Sequence, residues 1–242
     1  MLEIQFFQKI EFLQHRLVAV KKSVMVKTRK VFKNLSCLTV ISYKFKGENI
    51  MKRCAIVTAD LQNAAANKHA ARIKAVEAFL PEHTEFLNKM RAKGIPVVHL
   101  QQIYDPNDPR KYKHTDYDKK FIEGSHEAAI LDEVCQESDI IVQKHRDSGF
   151  YDNNLHDVLQ AMNVEVVILT GMQSQICVQT TAADATFRGY EVLVPSDGVS
   201  ATKPEDTERA LDWMQKYVGT VKTQKEIYDD VLAGELIGGK HT

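Results

Sequence analysis

Short apolar runs rich in β-branched residues return along this chain, each followed by a stretch of helical periodicity. That alternation restricts the fold more than any other feature. The runs lie at 53–59, 95–102, 139–143, 164–170, 190–195 and 218–222. Strands covered on both faces read this way, because neither face has room for polar residues. Between them the spacing predicts helices over 68–92, 126–135, 152–162, 177–188, 204–217 and 224–233. Strand–helix alternation of this kind implies an α/β protein: three layers, α/β/α, around a mainly parallel, Rossmann-like sheet of about six strands.

In open α/β sheets functional groups gather just past the carboxyl ends of strands. Three of those ends carry reactive side chains. Asp60 follows the first run, Lys144 the run 139–143, and Cys177 the turn Gly171-Met172-Gln173-Ser174-Gln175-Ile176-Cys177 after the run 164–170. A cysteine on a strand-to-helix turn meets unpaired N–H groups and the positive end of the helix dipole. Both favour a thiolate, so the turn predicts a lowered thiol pKa and a nucleophile at Cys177. The same N–H groups suit the oxyanion that forms when a thiolate attacks a carbonyl.

With these residues on the page, the chain resembles the isochorismatase-like cysteine hydrolases, a superfamily that includes nicotinamidases and N-carbamoylsarcosine amidases. The resemblance rests on Asp60-Leu61-Gln62 (family pattern D-x-Q) and on Val142-Gln143-Lys144 with Arg146, Ser148 and Phe150 behind it. It continues through Gly171 to Val178 and the strand and turn Gly189 to Gly198, and it spans about Met51 to Leu232. It implies Cys177 as nucleophile, Asp60 as general base and Lys144 as polarising cation. It also implies an oxyanion hole from the backbone N–H groups of Gln173 and Cys177, and a cis peptide between Met172 and Gln173.

The chemistry agrees with those roles. A thiol with its ordinary pKa near ~8.5 is only a few per cent thiolate at neutral pH and needs activation. A carboxylate in reach takes the proton and later delivers it to a leaving amine, while an ammonium beside both favours the ionised partners. Each position also has a plainer reading. Asp60 suits a helix N-cap, Lys144 an exposed strand end, and Gln62 a support for local backbone, although substrate contact by Gln62 stays open. Arg146, Ser148 and Phe150 suit a salt bridge, a turn and a packed ring, with Arg146 also open as a substrate contact.

The loop from Tyr104 to Gly124 is long, polar and rich in turn formers, and long loops in compact domains are often functional. Tyr104, Tyr112, Tyr117 and Phe121 offer an aromatic wall, and Arg110, Lys111 or Arg146 a partner for a substrate carboxylate. A solvated excursion fits the same residues. Nicotinamidases of the superfamily carry a D-x-H…H metal site after the second strand, and here no Trp-His-Pro element is present. His99 falls within the strand 95–102 as a packed core histidine. Asp105, His114, Asp116 and Asp118 are irregularly spaced, so no metal and no other cofactor is expected.

Together with these residues, the resemblance implies a metal-independent cysteine hydrolase that cleaves a C–N bond of a small amide or carbamoyl compound through a thioester. Vinyl-ether hydrolysis of the isochorismatase type, which would not need Cys177, and a non-catalytic thiol-bearing scaffold remain alternatives. No apolar run approaches the ~20 residues that span a bilayer. Cys37, Cys54, Cys135 and Cys177 form no C-x-x-C pair or disulfide framework, which fits a reducing, cytoplasmic setting.

Domain organisation is expected as a basic extension over 1–50 outside the core, a hydrolase domain over 51–233 and a flexible tail over 234–242. The extension holds ten Lys/Arg and three Glu, a net of +7 in a chain of zero formal net charge. Organellar targeting is one reading of it, and an upstream start before Met51 is the favoured one. No motif points to nucleic acid or membrane, and the superfamily resemblance implies a dimer or tetramer.

Overall fold

A computed structural model of the chain describes residues 52–110 and 114–234. The expected extension over 1–50, the residues 111–113 and the tail beyond Gly234 lie outside the described residues. The elements run β1 (Cys54–Ala59), α1 (Asn63–Ala66), α2 (Ala70–Ala92), β2 (Val97–Gln102), β3 (Ile140–Lys144) and α3 (Leu155–Ala161). They continue with β4 (Val166–Met172), a π turn (Ser174–Val178), α4 (Gln179–Phe187), β5 (Glu191–Pro195) and β6 (Val199–Ser200). Then come α5 (Pro204–Tyr217), β7 (Thr220–Lys222) and α6 (Gln224–Ala233). The strands form one sheet in the order β3-β2-β1-β4-β5-β7, with β6 paired to the end of β4. Every pairing between named strands is parallel.

The apolar runs split by the period of two that a pleated strand imposes. Ile56, Val97, Ile168 and Leu193 face one layer, where Val76, Phe86, Leu87 and Met90 of α2 and Ile227 and Val231 of α6 cover them. Ala55, Val57, Val98, Leu100, Val167 and Leu169 face the other, under Leu155 and Leu159 of α3, Ala182 and Ala185 of α4, and Ala210 and Met214 of α5. Burying a side chain of this size is worth roughly 1.5–3 kcal/mol. The three-layer α/β/α expectation is met, with seven strands instead of about six because the two-residue β6 has no sequence signal. Among the described residues no helix is long and apolar enough to cross a membrane.

Two segments depart from the sequence reading in ways that shape the site. The helix expected over 126–135 is a run of turns. Its carbonyls are claimed elsewhere: Asn63 N–H donates to Ala129 and Ala64 N–H to Glu127, opening α1, while Leu131 N–H donates to the Leu61 carbonyl. The strand expected to end at Thr170 runs on to Met172, because β6 pairs with Gly171 and Met172. Gly171 sits at φ +102 where a Cβ would stand 2.3 Å from the Ala59 carbonyl oxygen, so only glycine lets β4 lie this close to β1.

Candidate active site

The strand order places four carboxyl ends side by side. β3 ends in Lys144, β2 in Gln102, β1 runs into Asp60, and β4 leads to Cys177. The chain moves from β1 to β2 and β3 on one side and to β4 on the other. Asp60 and Cys177 therefore flank the point where connections diverge, the usual crevice of open α/β sheets. Asp60 holds a positive φ of 53, a left-handed conformation that Asp tolerates better than most residues.

Lys144 is fully buried, against the plainer reading of an exposed strand end. Its Nζ donates to Gln102 Oε1 at 3.0 Å and to the Arg146 carbonyl at 3.0 Å, and lies 3.1 Å from Asp60 Oδ1 and 3.6 Å from Cys177 Sγ. The Asp60 Oδ1 contact is an ion pair, and that oxygen makes no aligned hydrogen bond with another described residue. Burial acts to depress the Lys144 pKa, yet the charges of Asp60 and Cys177 outweigh it and hold the ammonium above its ordinary value. The three side chains expected from the sequence thus meet at one ammonium.

One expectation reverses. The Cys177 thiol is pushed above its ordinary pKa, chiefly by burial and next by the Asp60 carboxylate, against the opposing pull of Lys144. The local argument from the helix dipole is outweighed because the sulfur lies low in the crevice beside a negative charge. At rest the thiol keeps its proton, and an acceptor for it stands alongside.

The turn carrying Cys177 is wider than an α-helical one. Val178 N–H donates to the Gln173 carbonyl at 3.2 Å, and Gln179 N–H to the carbonyls of Ser174 and Ile176. Neither bond uses the N–H of Gln173 or of Cys177, the pair expected to form an oxyanion hole. The Met172–Gln173 peptide is cis.

The supporting residues sort themselves by their partners. Gln62 is fully buried and braces backbone: its Nε2 donates to the carbonyls of Gln102 at 3.0 Å and Ala128 at 2.6 Å, and its Oε1 accepts from Gln102 N–H at 2.8 Å. Gln62 and Gln102 together fix the strand end against which Lys144 rests. Arg146 gives the site its carbonyl, while its guanidinium, like that of Arg110, is paired with Asp108. Those two arginines tie the loop down where the sequence also allowed substrate contact, and they hold the Asp108 carboxyl well below the usual range, Arg110 most of all. Ser148 Oγ accepts from Phe150 N–H at 3.1 Å, the turn expected of it, and donates to Asp184, while Phe150 packs its ring on Tyr190. Lys111 and Tyr112 lie outside the described residues.

Sequence reasoning missed Gln102 and Arg72. Gln102 becomes visible only when the strand order sets β2 between β1 and β3. Arg72, in the first turn of α2, donates from Nε to Thr202 Oγ1 at 2.6 Å and reaches the Met172 sulfur at 3.9 Å. A hollow of about 540 Å³ opens by Tyr104, Ile122, Gln143 and His145, but none of Asp60, Lys144 and Cys177 lines it. Convergence of side chains places the site instead.

Among the described residues one trio has the donor set and spacing for a metal: His99, Cys135 and Asp139. It does not fit an ion. Arg91 holds both Asp139 oxygens, at 3.0 and 2.6 Å, and His99 is fully buried between Thr58 Oγ1 and Asp139 Oδ2. Asp139 also precedes β3, at the opposite end of that strand from Lys144.

A family model described as "Isochorismatase domain" matches residues 54–226. The chain is 31% identical over 129 residues to the secreted isochorismatase effector Isc1 of Verticillium dahliae, spanning 53% of this chain and 63% of that protein. It is 26% identical over 181 residues to the ureidoacrylate amidohydrolase RutB of Stutzerimonas stutzeri, spanning 64% and 73%. The structure of N-carbamoylsarcosine amidase from Thermoplasma acidophilum superposes with a TM-score of 0.63 at 29% identity, over 72% of this chain and 98% of that one.

Proposed function

The chain belongs to the isochorismatase family, and on that premise we propose that it is a metal-independent cysteine hydrolase of small amide or carbamoyl compounds, working through a thioester. One observation carries the reading: a single buried ammonium, Lys144 Nζ, lies 3.1 Å from a carboxylate oxygen of Asp60 and 3.6 Å from the sulfur of Cys177. A thiol held above its ordinary pKa beside a carboxylate suits proton transfer during attack rather than a standing thiolate.

Asp60 takes the Cys177 proton as the sulfur attacks the carbonyl carbon. The C=O electron pair moves onto oxygen, where the N–H groups of Gln173 and Cys177 receive it. Reforming the carbonyl breaks the C–N bond, and Asp60 returns its proton to the departing nitrogen. The products of this half are a thioester and ammonia or an amine. Water then attacks the thioester with Asp60 again as base, the C–S bond breaks, and the thiol regains a proton as the acid leaves. Lys144 keeps the site near electrical balance while charge passes from oxygen to sulfur and back.

Ammonia release from a panel of small amides, ureas and carbamoyl compounds tests the reading. Cys177→Ala should abolish turnover, and Asp60→Asn and Lys144→Ala should each cost about 10²-fold or more. Mass spectrometry of a quenched reaction should find the acyl group on the Cys177 peptide. Turnover that survives Cys177→Ala, on amides or on vinyl ethers, would overturn the thioester route.

A further inference from the structure

Arg72 has more than nine-tenths of its surface buried, yet no carboxylate among the described residues pairs with it. Its N–H groups meet neutral acceptors: Thr202 Oγ1 at 2.6 Å, the Ala65 carbonyl at 3.3 Å and the Met172 sulfur at 3.9 Å. Every other buried or half-buried arginine at this end of the sheet has an acid: Arg110 and Arg146 share Asp108. A buried guanidinium without a counter-ion is costly, and such a group is normally completed by an anion.

Its position says which anion. Met172 precedes Gln173, and the Thr202 hydroxyl that accepts from Arg72 belongs to the residue whose N–H donates to Gln173 Oε1 at 3.3 Å. Arg72 is therefore joined through two neighbours to the turn that carries Cys177. Burial pulls the Arg72 pKa below its ordinary value, and Tyr117 and then Cys177 oppose that pull. Tyr117 in turn carries the Lys68 ammonium over its ring at 3.9 Å, and Asp60, Cys177 and Asp118 act on its hydroxyl. One planar guanidinium matches one planar carboxylate through paired N–H donors.

We propose that Arg72, with Tyr117 and Thr202 beside it, binds a carboxylate of the substrate, so that the compound cleaved is an amide or carbamoyl derivative bearing an acid group. This rests on Cys177 being the nucleophile, and the test separates the two.

Alkylation of Cys177 by iodoacetate and by iodoacetamide, read on its peptide by mass spectrometry, compares an anionic with a neutral electrophile of nearly the same size. The iodoacetate-to-iodoacetamide rate ratio should exceed that of a free thiol such as N-acetylcysteine by about 10-fold or more. It should fall by at least that factor in Arg72→Gln and persist within about 3-fold in Arg72→Lys. A ratio no higher than the free thiol's, or one unmoved by Arg72→Gln, overturns the subsite. If Arg72→Gln does not fold, the ratio in the unaltered protein still decides.

Modification by neither reagent counts against Cys177 as nucleophile. The subsite is then read separately, by thermal stabilisation with millimolar malonate. Stabilisation that is lost in Arg72→Gln supports it, and its absence in the unaltered protein overturns it.

Discussion

Lys144 Nζ and Asp60 Oδ1 stand 3.1 Å apart at the ends of strands that are not neighbours, with β2 between them. Both side chains are almost completely buried, so neither charge has water to fall back on. Removing one partner strands the other. Lys144→Met should therefore destabilise the fold by about 3–5 kcal/mol. Asp60→Asn with Lys144→Met should cost less than the sum of the single changes by at least about 1 kcal/mol, since the double variant leaves no lone charge. Urea unfolding of the four proteins reads this, and strict additivity would show that the pair is not coupled.

The proton on Cys177 makes a second, less intuitive expectation. Burial first, and Asp60 next, hold the thiol above its ordinary pKa. Its alkylation by iodoacetamide should stay slow from pH 7 to 9 and still be climbing, without a plateau, at about pH 10. Asp60→Asn removes a negative charge that opposes ionisation, so it should speed alkylation at pH 8 while lowering amide turnover by about 10²-fold or more. A thiolate already formed at rest would instead give a plateau below about pH 8 and slower alkylation in the variant.

Gln102 is a positioning residue on this geometry. It accepts from Lys144 Nζ at 3.0 Å, and Gln62 clamps its backbone from both sides. Gln102→Leu loses one hydrogen bond to a charged group, worth about 1.5–3 kcal/mol, so kcat should fall about tenfold or more. KM should stay within about twofold, because the side chain contacts Lys144 rather than substrate. A rise in KM with kcat unchanged would place Gln102 against the substrate instead.

The parts legible in the sequence are those where one chemical demand acts locally. Runs such as Val166 to Leu169 announce a strand covered on both faces because every residue in them must be apolar. The convergence of Asp60, Lys144 and Cys177 is readable because each lies at or just past the carboxyl end of a parallel strand, and those ends gather along one edge of the sheet. Residues 126–135 misled because Ala128, Ile130, Leu131 and Val134 are buried as a helix face would be, while Gln62 and the opening of α1 take their carbonyls from a distance. Arg72 looks like an ordinary helix former; the hydroxyl that holds it, Thr202, is 130 positions away. The Cys177 pKa failed for the same reason, since a dipole argument sees only its own turn.

A last prediction concerns acid stability far from the crevice. His83 is fully buried on α2, where its Nδ1 lies 2.9 Å from Gln224 Oε1 and its Nε2 has no partner among the described residues. Burial lowers its pKa from 6.5 to about 4, although the Gln224 hydrogen bond pulls the other way. Between those values the unfolded chain binds a proton that the folded protein refuses, so stability falls as the pH drops from about 6.5 towards 4. The window is worth on the order of 3 kcal/mol in full, at 1.36 kcal/mol per pH unit. His83→Gln keeps a donor for Gln224 and cannot acquire charge. Its stability relative to the unaltered protein should therefore improve by about 2 kcal/mol between pH 7 and pH 4.5, measured by urea unfolding. The same difference at both pH values would mean that His83 takes up its proton as easily folded as unfolded.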